Sequence, residues 1–193
     1  MWLLAEANQR GDAAAADEAL AEAAARPQLS RGANLLEMQV APVAELIPDA
    51  VTRAQALFKV IGMDAATWAI EYGSLLKSCR GEGLRRPQRL PHCRTAARQV
   101  LAAATNLGEA LMAQTVAERA GVPPEQQAYD AATLKAAQNA LLDRSFEGGL
   151  DCASMVRIND VSVQRADLGD LALALSLLPA SSASRPGAAT AAR

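Results

Sequence analysis

The chain has 193 residues and a mass of 20.2 kDa, enough for one domain, or one domain with a tail, to bury about 70% of its unfolded surface. Hydrophobic residues make up 51%, yet 45 of the 193 are alanine and only six are aromatic; this excludes all-β folds, which need β-branched and aromatic side chains, and favours packed helices. A net charge of −2 with a pI near 5.5 excludes a global attraction to nucleic acid or anionic lipid, and no run reaches the roughly 18 apolar residues of a membrane span.

Residues 2–9 read as a helix closed near Gly11, and Asp12 is an N-cap for a second helix over 13–25 that stops before Pro27. The apolar residues of that second helix are alanine except Leu20, so it must pack closely or lie outside the core. Residues 33–44 form the next helix, with Leu35, Leu36, Val40 and Val43 on it and a break at Pro42. Asp49 caps 50–61, where Val51, Ala54, Leu57, Phe58 and Ile61 keep the i, i+3, i+4, i+7 spacing of a buried stripe. Gly62 ends it, and Asp64 caps a helix through Trp68, Tyr72, Leu75 and Leu76.

Gly81, Gly83, Pro87 and Pro91 mark 80–92 as the one long loop. A helical stretch over 94–120 follows, with a break or kink near 105–108, and Gly121 is its C′ residue. Pro124 suits the first turn of a helix over 125–142, and Gly148-Gly149 is a break. Between 155 and 164 the spacing of Val156, Ile158, Val161 and Val163 around Asn159-Asp160 fits either a small hairpin or a helix of poor formers. Residues 168–178 form the last helix, and 179–193, with no large apolar side chain beyond Pro179, are expected to be a disordered tail. The fold class is therefore all-α: one domain over 1–178, built of seven or eight helices stacked as antiparallel helical hairpins.

Trp2, Leu3, Ala7, Gly11-Asp12, Ala16, Leu20, Ala23 and Pro27 together resemble one tetratricopeptide-type unit over about 27 residues. The resemblance implies a helical hairpin whose small residues let the helices approach, with Gly-Asp at the turn and Pro after the second helix. One period of about 34 residues later the turn position holds Glu45-Leu46, so no second copy is visible.

Cys79, His92, Cys93 and Cys152 make the complement of a Cys₃His zinc site, but they lack the paired close spacing such sites use, and no metal ligand is assigned. A Cys79–Cys93 disulfide closing the proline–glycine loop is the stronger reading, because both cysteines sit at helix ends facing that loop. Such a bond would place the protein in the periplasm or outside the cell; without it the chain would be cytoplasmic. Met1-Trp-Leu-Leu-Ala turns polar at Glu6, too early for a signal peptide, and starts inside its helix as a truncated or processed piece would.

Arg80, Arg85, Arg86, Arg89, Arg94 and Arg98 are opposed only by Glu82 within the same stretch. Guanidinium forks bind carboxylate or phosphate in two-point fashion, and the absence of interleaved aromatics removes base stacking. Val116–Val122 looks like the first helix and turn of a bacterial helix-turn-helix. The residues that should form its recognition helix carry Glu125 and Asp130 instead of cations, so no nucleic acid is expected. With a single histidine no hydrolytic triad can be drawn, and Gly81-Glu-Gly83 is too short to cradle a phosphate, so neither catalytic residues nor a cofactor are assigned. Glu71, beside Trp68 and Tyr72, and Asp143 would become acid–base candidates only inside a deep pocket.

Arginine outnumbers lysine 16 to 3, which with the alanine excess reads as the coding bias of a GC-rich bacterial genome. The functional expectation is a non-catalytic module of bacterial type that binds a protein partner or acts as a scaffold. Its contact residues are Trp68, Tyr72, Arg80, Arg85, Arg86 and Arg89, since aromatics and arginine dominate binding energy at interfaces. The alternatives are a helical hydrolase or transferase and, behind it, a DNA-binding regulator.

Overall fold

In the computed structural model, residues 1–26, 72–146 and 168–179 are described, with scattered positions between 43 and 59 and between 156 and 165. All regular structure among the described residues is helical, as the alanine-rich composition requires. Helix α1 spans Trp2–Arg10 and α2 Ala13–Ala25. Gly11 takes φ 71°, which lets the Asp12 N–H reach the Ala7 carbonyl at 3.0 Å and close α1. The Asp12 carboxylate then accepts from the N–H groups of Ala14 at 3.1 Å and Ala15 at 3.0 Å, opening α2. Ala7, Ala16, Leu20 and Ala23 are buried, and α1 and α2 pack against each other.

Residues 72–78 are helical and lie beside α1, where the Asn8 side-chain amide donates to the Ser74 carbonyl at 3.0 Å and to Ser78 Oγ at 2.8 Å. A four-residue helix α3 (Glu82–Arg85) leads to α4 (Arg89–Ala103), and α5 (Leu107–Ala120) folds back on it. The break between them falls in the expected place because the Asn106 side chain accepts from Gly108 at 2.7 Å and Glu109 at 3.2 Å. Gly121, at φ 67°, closes α5 with Gly121 N–H on Glu118 O and Val122 N–H on Ala117 O, and Val122 enters the core. A 3₁₀ turn at Pro124–Gln126 precedes α6 (Ala131–Phe146), and α7 spans Asp170–Ser176.

The helices stack in sequence: α1 on α2, α2 on α4, α4 on α5, α5 on α6, with α7 against α5 and α6. The core is filled where alanine faces meet a few large side chains, Leu4, Leu20, Tyr72, Leu75, Leu101 and Leu134, each at most 1% exposed. Burying one such leucine contributes about 2 kcal/mol, so a handful of them carries most of the apolar stabilisation of a thin, alanine-rich core.

Three expectations are corrected. The stretch 80–92 is not one loop, because α3 and the first residues of α4 lie within it. Pro91 sits in the first turn of α4, where its missing N–H has no intrahelical partner to lose. The helix expected from residue 125 starts at Ala131 instead, since Asp130 captures the Thr133 N–H at 2.7 Å and the Thr133 hydroxyl at 2.9 Å. The described positions 156–158 and 160–161 are helical, which decides against a hairpin there. Asp49 caps as expected, accepting from Thr52 N–H at 2.8 Å, and the described positions 52, 53, 55, 56 and 59 are helical. The buried stripe of Val51, Ala54, Leu57, Phe58 and Ile61, most of the helix over 33–44, and the expected tail beyond Pro179 lie outside the described residues.

Candidate functional site

The corner where the 72–78 helix turns into α4 holds most of the predicted contact residues. Cys79 follows that helix and Cys93 lies one turn inside α4; the two form a disulfide with a Cα–Cα distance of 5.7 Å, and both are 0% exposed. The expectation of a bond across this loop is met, and Cys152 lies outside the described residues. Among the described residues no group of three His, Cys, Asp or Glu side chains is placed to hold a metal ion.

Arg89 is the second tie. It is only 7% exposed, and its guanidinium spreads over three acceptors: the Asp17 carboxylate of α2, the Ala13 carbonyl at 3.2 Å and the Ser78 carbonyl at 3.5 Å. Asp17 also accepts from Arg86 Nη1 at 2.7 Å, so one carboxylate gathers two arginines. Gly83 completes the corner, because a Cβ there would stand 2.1 Å from the Ser78 carbonyl oxygen and 3.3 Å from Arg89 Nη1. The corner is thus pinned by a covalent bond, a buried ion pair and a backbone approach that only glycine permits.

These contacts sort the predicted residues. Tyr72 is 1% exposed, a core residue, and Arg89 is spent on Asp17, so neither offers its side chain to a partner. Trp68 lies outside the described residues, as does Glu71. Arg86 keeps 44% of its side chain exposed while paired to Asp17. Arg80 and Arg85 are exposed, and no described residue pairs with either. Farther along α4, Arg94 Nε donates to the Ala120 carbonyl at 2.6 Å and Arg98 Nη1 to Gln126 Oε1 at 2.9 Å, holding the end of α5 and the following turn. The arginine run is therefore two sets: Arg89, Arg94 and Arg98 are structural donors, Arg89 alone of them buried, and Arg80, Arg85 and part of Arg86 are presented at the corner.

Two residues escaped the sequence reading. Asp17 is separated from Arg89 by 72 positions, and its only local signal is that it interrupts the alanine run beside buried Ala16. Asp170 accepts from the Leu107 N–H at 2.7 Å and pairs with Arg165 at 3.3 Å, a cap on α5 supplied from another helix. Burial pushes its carboxyl above the usual aspartate range, against the pull of the Leu107 N–H and Arg165.

Of the two acid–base candidates, Asp143 is exposed on α6 and Glu71 lies outside the described residues. A cleft of about 320 Å³ opens between α1 and α2, lined by Leu3, Ala7, Ala15 and Ala19 and by charged residues, chiefly glutamates, at its edges. The helix-turn-helix echo also stops at its turn, since Pro123–Asp130 forms a single 3₁₀ turn where a recognition helix would be needed. No family model, curated protein or solved structure matches this chain, so the stacked hairpins and the pinned arginine corner are what any functional reading must rest on.

Proposed function

We propose that this protein is a non-catalytic helical binding module, and that Arg80 and Arg85, with the exposed part of Arg86, form its contact for an acidic protein surface. The observation that carries this reading is the pairing of unspent cations with a fixed backbone. Arg80 and Arg85 are exposed and no described residue is their counter-ion, yet they project from a segment held by the Cys79–Cys93 bond and by Arg89 on Asp17. Pinning a loop before it binds removes the ordering cost that a flexible arginine loop would incur on association. Guanidinium groups then supply two-point hydrogen bonds to carboxylates. The disulfide fits an oxidising compartment, which makes the periplasm or the extracellular space the place to look for the partner.

The test is quantitative affinity capture from the native compartment with the wild type and with Arg80→Glu combined with Arg85→Glu. Both positions are exposed and neither is paired among the described residues, so the thermal midpoint should stay within about 2 °C, as for surface substitutions worth under about 0.5 kcal/mol. Loss of a specific set of acidic proteins at unchanged stability supports the reading. Capture identical to the wild type rejects it.

A further inference from the structure

The cleft between α1 and α2 has the opposite chemistry to the arginine corner. Leu3, 55% exposed, and the small Ala15 and Ala19 give it apolar walls, while Glu6, Asp12, Glu18 and Glu22 outnumber the one cation of its lining, Arg10. Glu6 pairs with Arg10 and Glu22 with Arg26, each one turn along its own helix and exposed, and such pairs are worth only a few tenths of a kcal/mol. Glu18 is exposed and no described residue pairs with it. At about 320 Å³ the cleft is too small to seat a helix about 10 Å across. It suits the ends of long side chains, whose stems can lie on the alanine and leucine walls while their charged heads reach the glutamates.

The cleft and the corner use opposite flanks of α2. Asp17, which holds Arg86 and Arg89, and Glu22, which edges the cleft, are five positions apart; at about 100° per residue that separates them by roughly 140° around the helix axis. One molecule therefore cannot place its own corner in its own cleft. Between two molecules the match is direct, and a net charge of −2 adds little long-range repulsion.

We propose that the acidic cleft of one copy receives Arg80 and Arg85 of the next, a head-to-tail contact that makes a second copy of this chain an occupant of the corner. The proposal rests on the reading of the corner as a binding surface and names its partner. A contact of this kind is heterologous and extends into rings or short chains. Two arginines and one small cleft lie below the area of a stable interface, so the contact is weak and sensitive to salt.

Sedimentation velocity on the full chain tests it, from about 10 to about 500 μM protein, the range in which a contact with a Kd of about 100 μM is read. The runs are made at about 0.03 M and about 0.5 M salt, on either side of effective screening. The expected result is a weight-average mass that rises with concentration at low salt and returns to the monomer at high salt. Arg80→Glu with Arg85→Glu, and separately Glu18→Arg with Glu22→Arg, should each stay monomeric. An equimolar mixture of the two double variants should associate again, because the intact corner of one meets the intact cleft of the other. A wild type that is monomeric at low salt, a double variant that associates as the wild type does, or a mixture that stays monomeric overturns the proposal. If the wild type is monomeric while the arginine variant loses captured acidic proteins, the corner reading stands and self-docking alone falls.

Discussion

Breaking the Cys79–Cys93 bond is the sharpest perturbation of the pinned corner. The cysteines are 14 positions apart, and closing a loop of about 15 residues removes unfolded-state entropy worth about 3 kcal/mol at 25 °C. For a domain of this size 1 kcal/mol shifts the melting midpoint by about 2–4 °C, so reduction should lower it by about 6–12 °C. Both sulfurs are 0% exposed, so the cleanest comparison is wild-type protein before and after reduction, in which the side chains hardly change volume. The Cys79→Ala, Cys93→Ala double variant should melt lower still in the oxidised comparison, since it also loses buried atoms, and it should not respond to reductant. Thermal unfolding followed by circular dichroism, with thiol counting on each sample, reads both effects. If the oxidised and reduced proteins melt within about 2 °C of each other, the bond does not constrain the fold as argued here.

The other ties give predictions that the same unfolding assay checks. Asp17→Ala leaves Arg89 buried without its carboxylate and should cost about 3 kcal/mol, whereas an effect under about 1 kcal/mol would remove Asp17 as the organiser of the corner. Gly83→Ala drives a Cβ to 2.1 Å from the Ser78 carbonyl oxygen and should cost about 2–3 kcal/mol; Gly11→Ala has open space and only the left-handed strain of φ 71°, about 1 kcal/mol, so the reverse order would contradict the packing described. Asp130 is held below the usual carboxylate range, first by the Thr133 N–H; its contribution is present above 3.8 and lost as pH falls through the lowered value, so Asp130→Asn should flatten the acid limb of stability against pH. Asp170 has the opposite sign: burial raises its carboxyl, so its contribution is full below 3.8 and lost as pH rises through the raised value, and wild type should lose ground to Asp170→Asn over that window. Asp170→Ala removes the Leu107 cap and should lose about 1 kcal/mol below 3.8, a deficit that shrinks as pH rises through the raised value.

What the sequence made legible was local. Gly11-Asp12, Asp49 and Gly121 announce themselves because the groups they satisfy lie within a few residues, and each ends or begins a helix where expected. The Cys79–Cys93 pairing was legible for a related reason, since only one short loop separates the two. Asp130 carries the same capping signal as Asp12, but Pro124 offered a competing helix start, and the 3₁₀ turn it makes does not propagate. The arginine run is uniform in the sequence, and which members are tied to the fold depends on acceptors far along the chain: Asp17 for Arg86 and Arg89, Ala120 for Arg94, Gln126 for Arg98. The scarcity of aromatics points to Tyr72 as a contact residue, yet the same scarcity is why the alanine-rich core takes it. Burial is a property of the whole stack, and a residue's type alone does not carry it.

We propose above all that the pinned corner, with Arg80 and Arg85 on it, is where this protein meets its partner. A photoreactive residue substituted for exposed Gln88, between Arg85 and α4, tests it most directly, with the same residue substituted for exposed Asp143 on α6 as the control. Position 88 should cross-link to acidic peptides, including the cleft peptide of a second copy. Arg80→Glu with Arg85→Glu should abolish these cross-links, and the control position should yield none. Cross-links from position 143 with none from position 88 would contradict the proposal.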